Sequence, residues 1–368
     1  MCSGDKPYGI YVHIPFCKAK CKYCAFVSTP DLSLERDYID ALLREIRGSK
    51  LRGAHADTVY VGGGTPSCLQ KGAISEIMNA LRASFIVHDN AEITVECNPE
   101  SASDDFFAEC RDNGINRISM GLQSANDDVL RKIGRVHNYS QYVTALSRAA
   151  KVFDNISSDI ILGLPQQTDD DIIMAVNTVK DCCSHVSVYA LTVEEGTPLY
   201  NDGYSPDDDA VADMYDNARA MLGDCGFHRY EVSNFAKTGK QSRHNNKYWE
   251  CLPYVGFGVA AHGYDGEHLR YYHGNDINEY IKNVQPNCTV LDDRDRYNEY
   301  VMLRLRTEKG IDLQAFRNRF GYSFEQKNRA ILEKAVKDGY LCVSPKNVCI
   351  SPEYMFVMND IIEELMLD

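Results

Sequence analysis

Hydrophobic and polar positions along the chain fall into two alternating rhythms. Short runs rich in β-branched and apolar residues, at 8–14, 58–61, 92–97, 117–122, 156–162 and 185–191, predict six strands. Between them apolar residues recur at helical spacing. Leu34, Tyr38, Ala41, Leu42 and Ile46 mark a helix over 32–47, and further helices are predicted over 72–85, over 104–113 and around Leu130. Thr168 followed by Asp169, Asp170 and Asp171 reads as an N-cap and an acidic first turn that suits the helix dipole. Six strand–helix units in succession predict an α/β fold with a parallel sheet and right-handed crossovers. An open sheet and a barrel both satisfy this pattern. Polar residues at the carboxyl ends of successive strands are how barrel enzymes build their sites.

The pattern changes after residue 207. A long helix is predicted over 209–225, followed by segments rich in aromatic and polar residues, with Pro286-Asn287 read as a linker. The remainder is α-rich, with a short strand pair around 340–350. The expected division is therefore 1–205 as the core, 206–285 as a segment that completes it, and 286–368 as a small C-terminal unit.

Composition narrows the classes. A net charge of −14 argues against general affinity for nucleic acid or anionic membrane. The C-terminal stretch 294–338 carries 11 Lys/Arg against 7 Asp/Glu, but it has no arginine-rich stripe with interleaved aromatics, so no nucleic-acid partner is expected. No apolar run approaches the ~20 residues needed to cross a membrane, and Met1 to Lys6 contain no apolar signal-peptide region, so a cytoplasmic location is expected. Fourteen cysteines in such a chain read as free thiols rather than a disulfide framework. Cys182 and Cys183 are placed on a helix.

Three of those cysteines stand apart. Cys17, Cys21 and Cys24 follow the first strand, which Pro15 stops, at C-x3-C-x2-C spacing on a polar loop. Thiolates gathered this closely can wrap an iron–sulfur cluster, and three ligands leave one iron of a four-iron cluster open. A structural zinc site and three unconnected thiols are the competing readings, although no fourth Cys or His lies at matching spacing. The second strand ends in Gly62-Gly63-Gly64-Thr65-Pro66-Ser67. Consecutive glycines let a ligand approach the backbone. Neither a P-loop nor a dinucleotide fingerprint is completed, because no Gly-Lys-Ser/Thr follows and Pro66 and Ser67 interrupt. Glu96, Gln123, Arg135 and Asp159 fall at or just after later strands. Burying such a group unpaired costs ~1–3 kcal/mol, so its presence among apolar strand ends is informative.

The cysteine loop, with Tyr23 just before its last cysteine and His13-Ile14-Pro15-Phe16 before its first, resembles the radical S-adenosylmethionine (SAM) proteins. Within them it is similar to the branch containing oxygen-independent coproporphyrinogen III dehydrogenase and the haem chaperone HemW. The resemblance implies a partial, open (β/α)6-type barrel with a small winged-helix-like C-terminal domain. It implies a [4Fe–4S] cluster on Cys17, Cys21 and Cys24, with SAM on the fourth iron. Gly63, Gly64 and Thr65 would meet the methionine amino group of SAM. Glu96 and Gln123 would be hydrogen-bond partners, Tyr11 and Tyr23 neighbours of the first SAM, and Arg135 and Asp159 nearer a second SAM or substrate pocket. The implied chemistry is one-electron cleavage of SAM to a carbon-centred radical, fed by a donor such as flavodoxin or ferredoxin.

Within that branch three features point to the chaperone. Phe26 stands where the dehydrogenase has a fourth cysteine, only 16 residues precede Cys17, and His244-Asn245-Asn246-Lys247-Tyr248-Trp249 matches an H-N-x-x-Y-W element of the HemW branch. His244 is accordingly the expected haem contact, with His262 a second candidate, and haem-accepting proteins are the expected partners. The dehydrogenase, which oxidatively decarboxylates propionates to vinyls on coproporphyrinogen III, is the alternative. A buried aromatic turn with a hydrogen-bonded histidine is the competing reading of His244 itself.

Overall fold

The computed structural model describes residues 6–282 and 285–367. The first five residues of the N-terminal stretch read above lie outside them. Strands and helices alternate as β1 (Tyr8–Ile14), α1 (Glu35–Gly48), β2 (His55–Gly63), α2 (Ala73–Ser84), β3 (Ile86–Cys97), α3 (Asp104–Asp112) and β4 (Arg117–Gln123). Then come α4 (Asp127–Lys132), α5 (Tyr139–Ala149), β5 (Ile156–Leu162), α6 (Asp169–Val179) and β6 (His185–Ala190). Neighbouring strands from β1 to β6 pair in parallel.

The second part of the chain extends this sheet at both edges. It contributes α7 (Pro198–Asn201), α8 (Asp208–Asp224), β7 (His228–Arg229), β8 (Asn234–Ala236), α9 (Arg243–Trp249), β9 (Tyr254–Phe257), β10 (His262–Tyr264), β11 (Leu269–Tyr272), α10 (Ile277–Lys282) and β12 (Asn287–Val290). Among the described residues the sheet order is β12-β11-β10-β9-β1-β2-β3-β4-β5-β6-β8-β7. β9 joins β1 in parallel, whereas β8 meets β6 antiparallel, and the two ends of the sheet do not pair with each other. The curved sheet is therefore an open barrel, as expected.

Period-two alternation explains the layers. Ile10, Val12, Val59, Val61, Ile118, Met120, Val186 and Val188 are buried on one face and share one core with the helices. The opposite face is polar: Thr58, Tyr60, Glu92, Glu96, Ser157 and His185 bond to one another or to the segment that fills the barrel. That segment is α9. Its first two backbone amides donate to the Glu92 carboxylate at 3.1 and 3.0 Å, so α9 is seated at the amino ends of the strands.

A second core holds the C-terminal unit. It comprises α11 (Asp293–Leu305), β13 (Ile311–Asp312), α12 (Leu313–Phe320), α13 (Phe324–Lys327), α14 (Arg329–Lys337), β14 (Leu341–Val343), β15 (Asn347–Ile350) and α15 (Asn359–Glu364). Its sheet has the order β13-β15-β14, one strand more than the pair expected.

Three expectations are corrected. Asn287 is not in a linker, since it opens β12 and pairs with Tyr272 of β11. Cys182 and Cys183 lie in the turn after α6 rather than on a helix. The stretch read as one helix around Leu130 holds that helix, α4, and a second one after it. The second, α5, begins with a capping box in which Asn138 and Gln141 satisfy each other's backbone amides.

Candidate functional site

A cleft of about 470 Å³ opens at the carboxyl ends of β1 to β6. The cysteine loop forms one wall. Its base is closed where Thr29 N donates to Pro15 O at 2.7 Å and Cys17 N donates to Thr29 O at 3.1 Å. Its middle is pinned by Lys22, whose amide donates to Ile133 O and whose carbonyl accepts from Leu199 N, at 2.9 and 3.1 Å. Tyr23 packs on the small apolar cluster of Val129, Leu130 and Ile133. Cys17, Cys21 and Cys24 all line the cleft, half-buried and free of disulfides. Burial pushes the Cys17 and Cys24 thiols up, while the Thr65 hydroxyl, donating to Cys17 Sγ at 3.4 Å, opposes this at Cys17. Iron would reverse that balance, because the thiolate is the ligand. Among the described residues no three Cys, His, Asp or Glu groups converge on a point that could hold a single metal ion, which gives the zinc alternative no support.

The glycines form the opposite wall. Gly63 has φ +105°, a conformation that favours glycine, and a Cβ there would lie 2.4 Å from the His13 ring. A Cβ on Gly62 would meet the Glu96 carboxylate at 2.6 Å, and one on Gly64 the carbonyl of Ile14 at 2.6 Å. Glu96 is oriented by two donors: Gly63 N at 2.9 Å to Oε2 and the Tyr60 hydroxyl at 2.6 Å to Oε1. Burial nevertheless pushes its carboxyl up to about 7.

A hydrogen-bond chain runs under the cysteine loop. Arg135 donates to Cys21 Sγ at 3.6 Å and to Asn98 Oδ1 at 2.8 Å. Asn98 Nδ2 in turn donates to Thr65 Oγ1 at 2.8 Å, and Thr65 reaches Cys17. Arg135, expected nearer a second pocket, thus also stands against the cysteine loop. Gln123 ends β4 at φ +67°, beside a register shift, and its Oε1 is buried without a partner while its side chain lines the cleft. Asp159, raised by burial, lines the cleft from β5.

Gly63, Gly64, Thr65, Tyr23, Glu96, Gln123, Arg135 and Asp159 are therefore brought together with the three cysteines. Tyr11 is not. It sits one pleat repeat back from the end of β1, its hydroxyl 3.0 Å from His13 Nδ1 and its ring against Tyr60. His244 is not in the cleft either. It is fully buried at the opposite end of the barrel, Nδ1 2.9 Å from Thr58 Oγ1 and Nε2 2.8 Å from the Tyr248 hydroxyl. Burial holds it down to about 3, hence neutral, and neither nitrogen is free to bind iron in this arrangement. The competing reading of an internal, hydrogen-bonded histidine describes it. His262 is exposed and stacks on Tyr272 with ring centroids 5.7 Å apart. Sequence reasoning missed Asn98, which directly follows β3, and Tyr189 on β6 and Glu194 just after it, which reach the cleft only through the fold.

The cleft fits a cluster and SAM on its own chemistry: three thiols outside any disulfide, the bare backbone of Gly63 and Gly64 along one wall, and an orphaned acceptor on Gln123. Comparison with known proteins adds the relationships. Residues 11–179 match the Radical SAM superfamily and residues 291–357 the HemN C-terminal domain. The chain is 32% identical to the haem chaperone HemW of Lactococcus lactis, over 99% of this chain and 98% of that one. It is 32% identical to HemW of Bacillus subtilis over 95% and 97%, and 34% identical to HemW of Mycobacterium tuberculosis over 90% and 89%. The solved structure of coproporphyrinogen III oxidase (HemN) from Escherichia coli superposes with a TM-score of 0.86 at 23% identity, covering 99% of this chain and 91% of that chain, which shows the shared fold.

Proposed function

The chain belongs to the HemW family of radical SAM proteins, and from that premise we propose that it binds haem and delivers it to acceptor proteins. The observation that carries the reading is likeness along nearly the whole chain to relatives named haem chaperone. Phe26 supports it. This side chain is 67% exposed at the lip of the cleft, where the dehydrogenase would place a further thiol.

The superfamily implies a [4Fe–4S] cluster and SAM. Cys17, Cys21 and Cys24 would hold the cluster, and Gly63, Gly64, Thr65, Glu96 and Gln123 would hold SAM, with Arg135 and Asp159 beside them. When bound, the two groups supply one-electron chemistry. The chain's own contribution is to orient the glycine cradle through Glu96 and to hold Cys17 and Cys21 in one hydrogen-bond chain through Thr65, Asn98 and Arg135. His262 is the accessible candidate for haem, whereas His244 reaches iron only if its bonds to Thr58 and Tyr248 open. The division at 205 and 285, a flavodoxin or ferredoxin as electron donor and a cytoplasmic location belong to the same reading. The thirteen described cysteines, all free, suit a reducing compartment.

The second reading, coproporphyrinogen III dehydrogenase, draws on the SAM cradle retained in a HemN-like fold. An anaerobic assay of cluster-reconstituted protein with SAM, reductant and coproporphyrinogen III separates the two. Vinyl products at catalytic turnover sink the chaperone proposal. Their absence, together with saturable haem binding and transfer to an apo-acceptor, is the expected result.

A further inference from the structure

A second cavity, about 80 Å³, lies between α9 and the end of α11, where the C-terminal unit meets the barrel. Two of its lining side chains carry donors with nothing to donate to. Arg304 is only 8% exposed, and its guanidinium makes no hydrogen bond or ion pair among the described residues. The indole N–H of Trp249 is buried without a partner. The Arg304 nitrogens lie at the cavity's edge within reach of water, and a guanidinium this little exposed without a counter-charge is normally matched by an anion, a carboxylate or ordered water.

Of the four charged residues that line the cavity, only the cation Arg304 is buried, which favours an anion there. Lys309 adds a second positive charge at its exposed rim, and Asn246 offers an amide. Two carboxylates also line it. Glu308 is engaged by Arg229 at 3.4 Å, and Glu250 is exposed, so water screens it. The volume leaves room for several waters at ~10–15 Å³ of probe space each, enough to admit one tetrahedral or planar acid group.

We infer that this cavity binds a small oxyanion, a phosphoryl or carboxylate group, between the Arg304 guanidinium and the Trp249 indole N–H. The guanidinium fork matches two oxygens of such a group. The ligand joins two units: α9 is anchored to the barrel through Glu92, and Arg304 belongs to the C-terminal core helix. It therefore clamps the C-terminal unit onto the barrel, independently of the cluster and of haem.

Trp249 is the chain's single tryptophan, so its fluorescence reads this site directly. Full-length protein is titrated with inorganic phosphate at constant ionic strength, chloride making up the balance, and then with acetate. The expected result is a saturable change in Trp249 emission with at least one of the two, and whichever anion produces it identifies the acid group. Arg304→Gln should weaken that response at least about tenfold, through loss of charge-assisted bonds. Lys309→Gln, at an exposed position, should weaken it about two- to fivefold. Circular dichroism checks the fold, and if Arg304→Gln does not fold the comparison rests on Lys309→Gln. No saturable change with either anion in the wild-type chain overturns the site. Folded variants that titrate like the wild type overturn it too.

Discussion

Arg135 touches the cysteine loop directly: one guanidinium nitrogen donates to Cys21 Sγ at 3.6 Å while the other holds Asn98 Oδ1 at 2.8 Å. Hydrogen bonds and positive charge beside a cluster sulfur favour the reduced, more negative state. Arg135→Gln should therefore make the cluster potential more negative, on the order of 50 mV, close to the 59 mV that a tenfold one-electron effect represents. A spectroelectrochemical titration of reconstituted protein measures it. An unchanged potential would remove Arg135 from any role at the cluster.

Glu96 links the glycine cradle to the barrel interior, so its loss should be felt in SAM binding. Glu96→Gln keeps the shape but removes the charge that a ligand amino group would meet. The expected loss is about 1.5–3 kcal/mol, or roughly 10- to 100-fold in affinity, read by calorimetry on the reconstituted protein. Wild-type affinity in the variant would mean that SAM contacts other groups.

Glu231 gives a pH dependence that a variant isolates. It is fully buried, Ser233 N donates to one carboxylate oxygen at 3.0 Å, and the other oxygen has no partner. Burial pushes its carboxyl up to about 7. Because the folded value is raised above the ordinary 4.5, its contribution to stability is full below that value and is lost as pH rises through about 7. Glu231→Gln should match the wild type near pH 5 and gain about 1–3 kcal/mol at pH 8. Urea unfolding at the two pH values checks this, and parallel stability curves would count against it.

The two histidines should separate in stability and haem binding. His244→Ala leaves the Thr58 and Tyr248 hydroxyls unpaired and opens a void, so it should cost roughly 2–4 kcal/mol of stability. His262→Ala should leave the unfolding midpoint almost unchanged and weaken haem binding about tenfold or more, worth ~1.4 kcal/mol or above. Denaturation and haem titration on both variants decide the matter. Lost haem affinity in a folded His244→Ala, with His262→Ala unaffected, would reverse the assignment.

Much of the fold was legible because its signals are local. Strand β5 and the first strand begin and end where β-branched runs do, and the acidic turn after Thr168 starts α6 as read. The helix that follows α4 was missed because only six residues separate the two, so both were read as one helical stretch, although Asn138 and Gln141 carried a capping signal. Asn287 looked like a linker because an exposed edge strand has no buried face to impose alternation.

By itself the sequence determined the cysteine loop, the glycine cradle, the order of strands and the polar residues at their ends. Each of these depends on spacing along the chain or on a backbone conformation that few residues adopt. Only the tertiary structure decided which of them meet. Parallel pairing brings the carboxyl ends of β1 to β6 to one side, so Glu96, Gln123, Arg135 and Asp159 join the three cysteines there. The same geometry sends α9 to the amino ends, where Glu92 holds its first amides and His244 is sealed inside. Residue type and spacing say what a side chain can bond to, but only long-range packing says which end of the barrel it reaches and whether its partners are already taken.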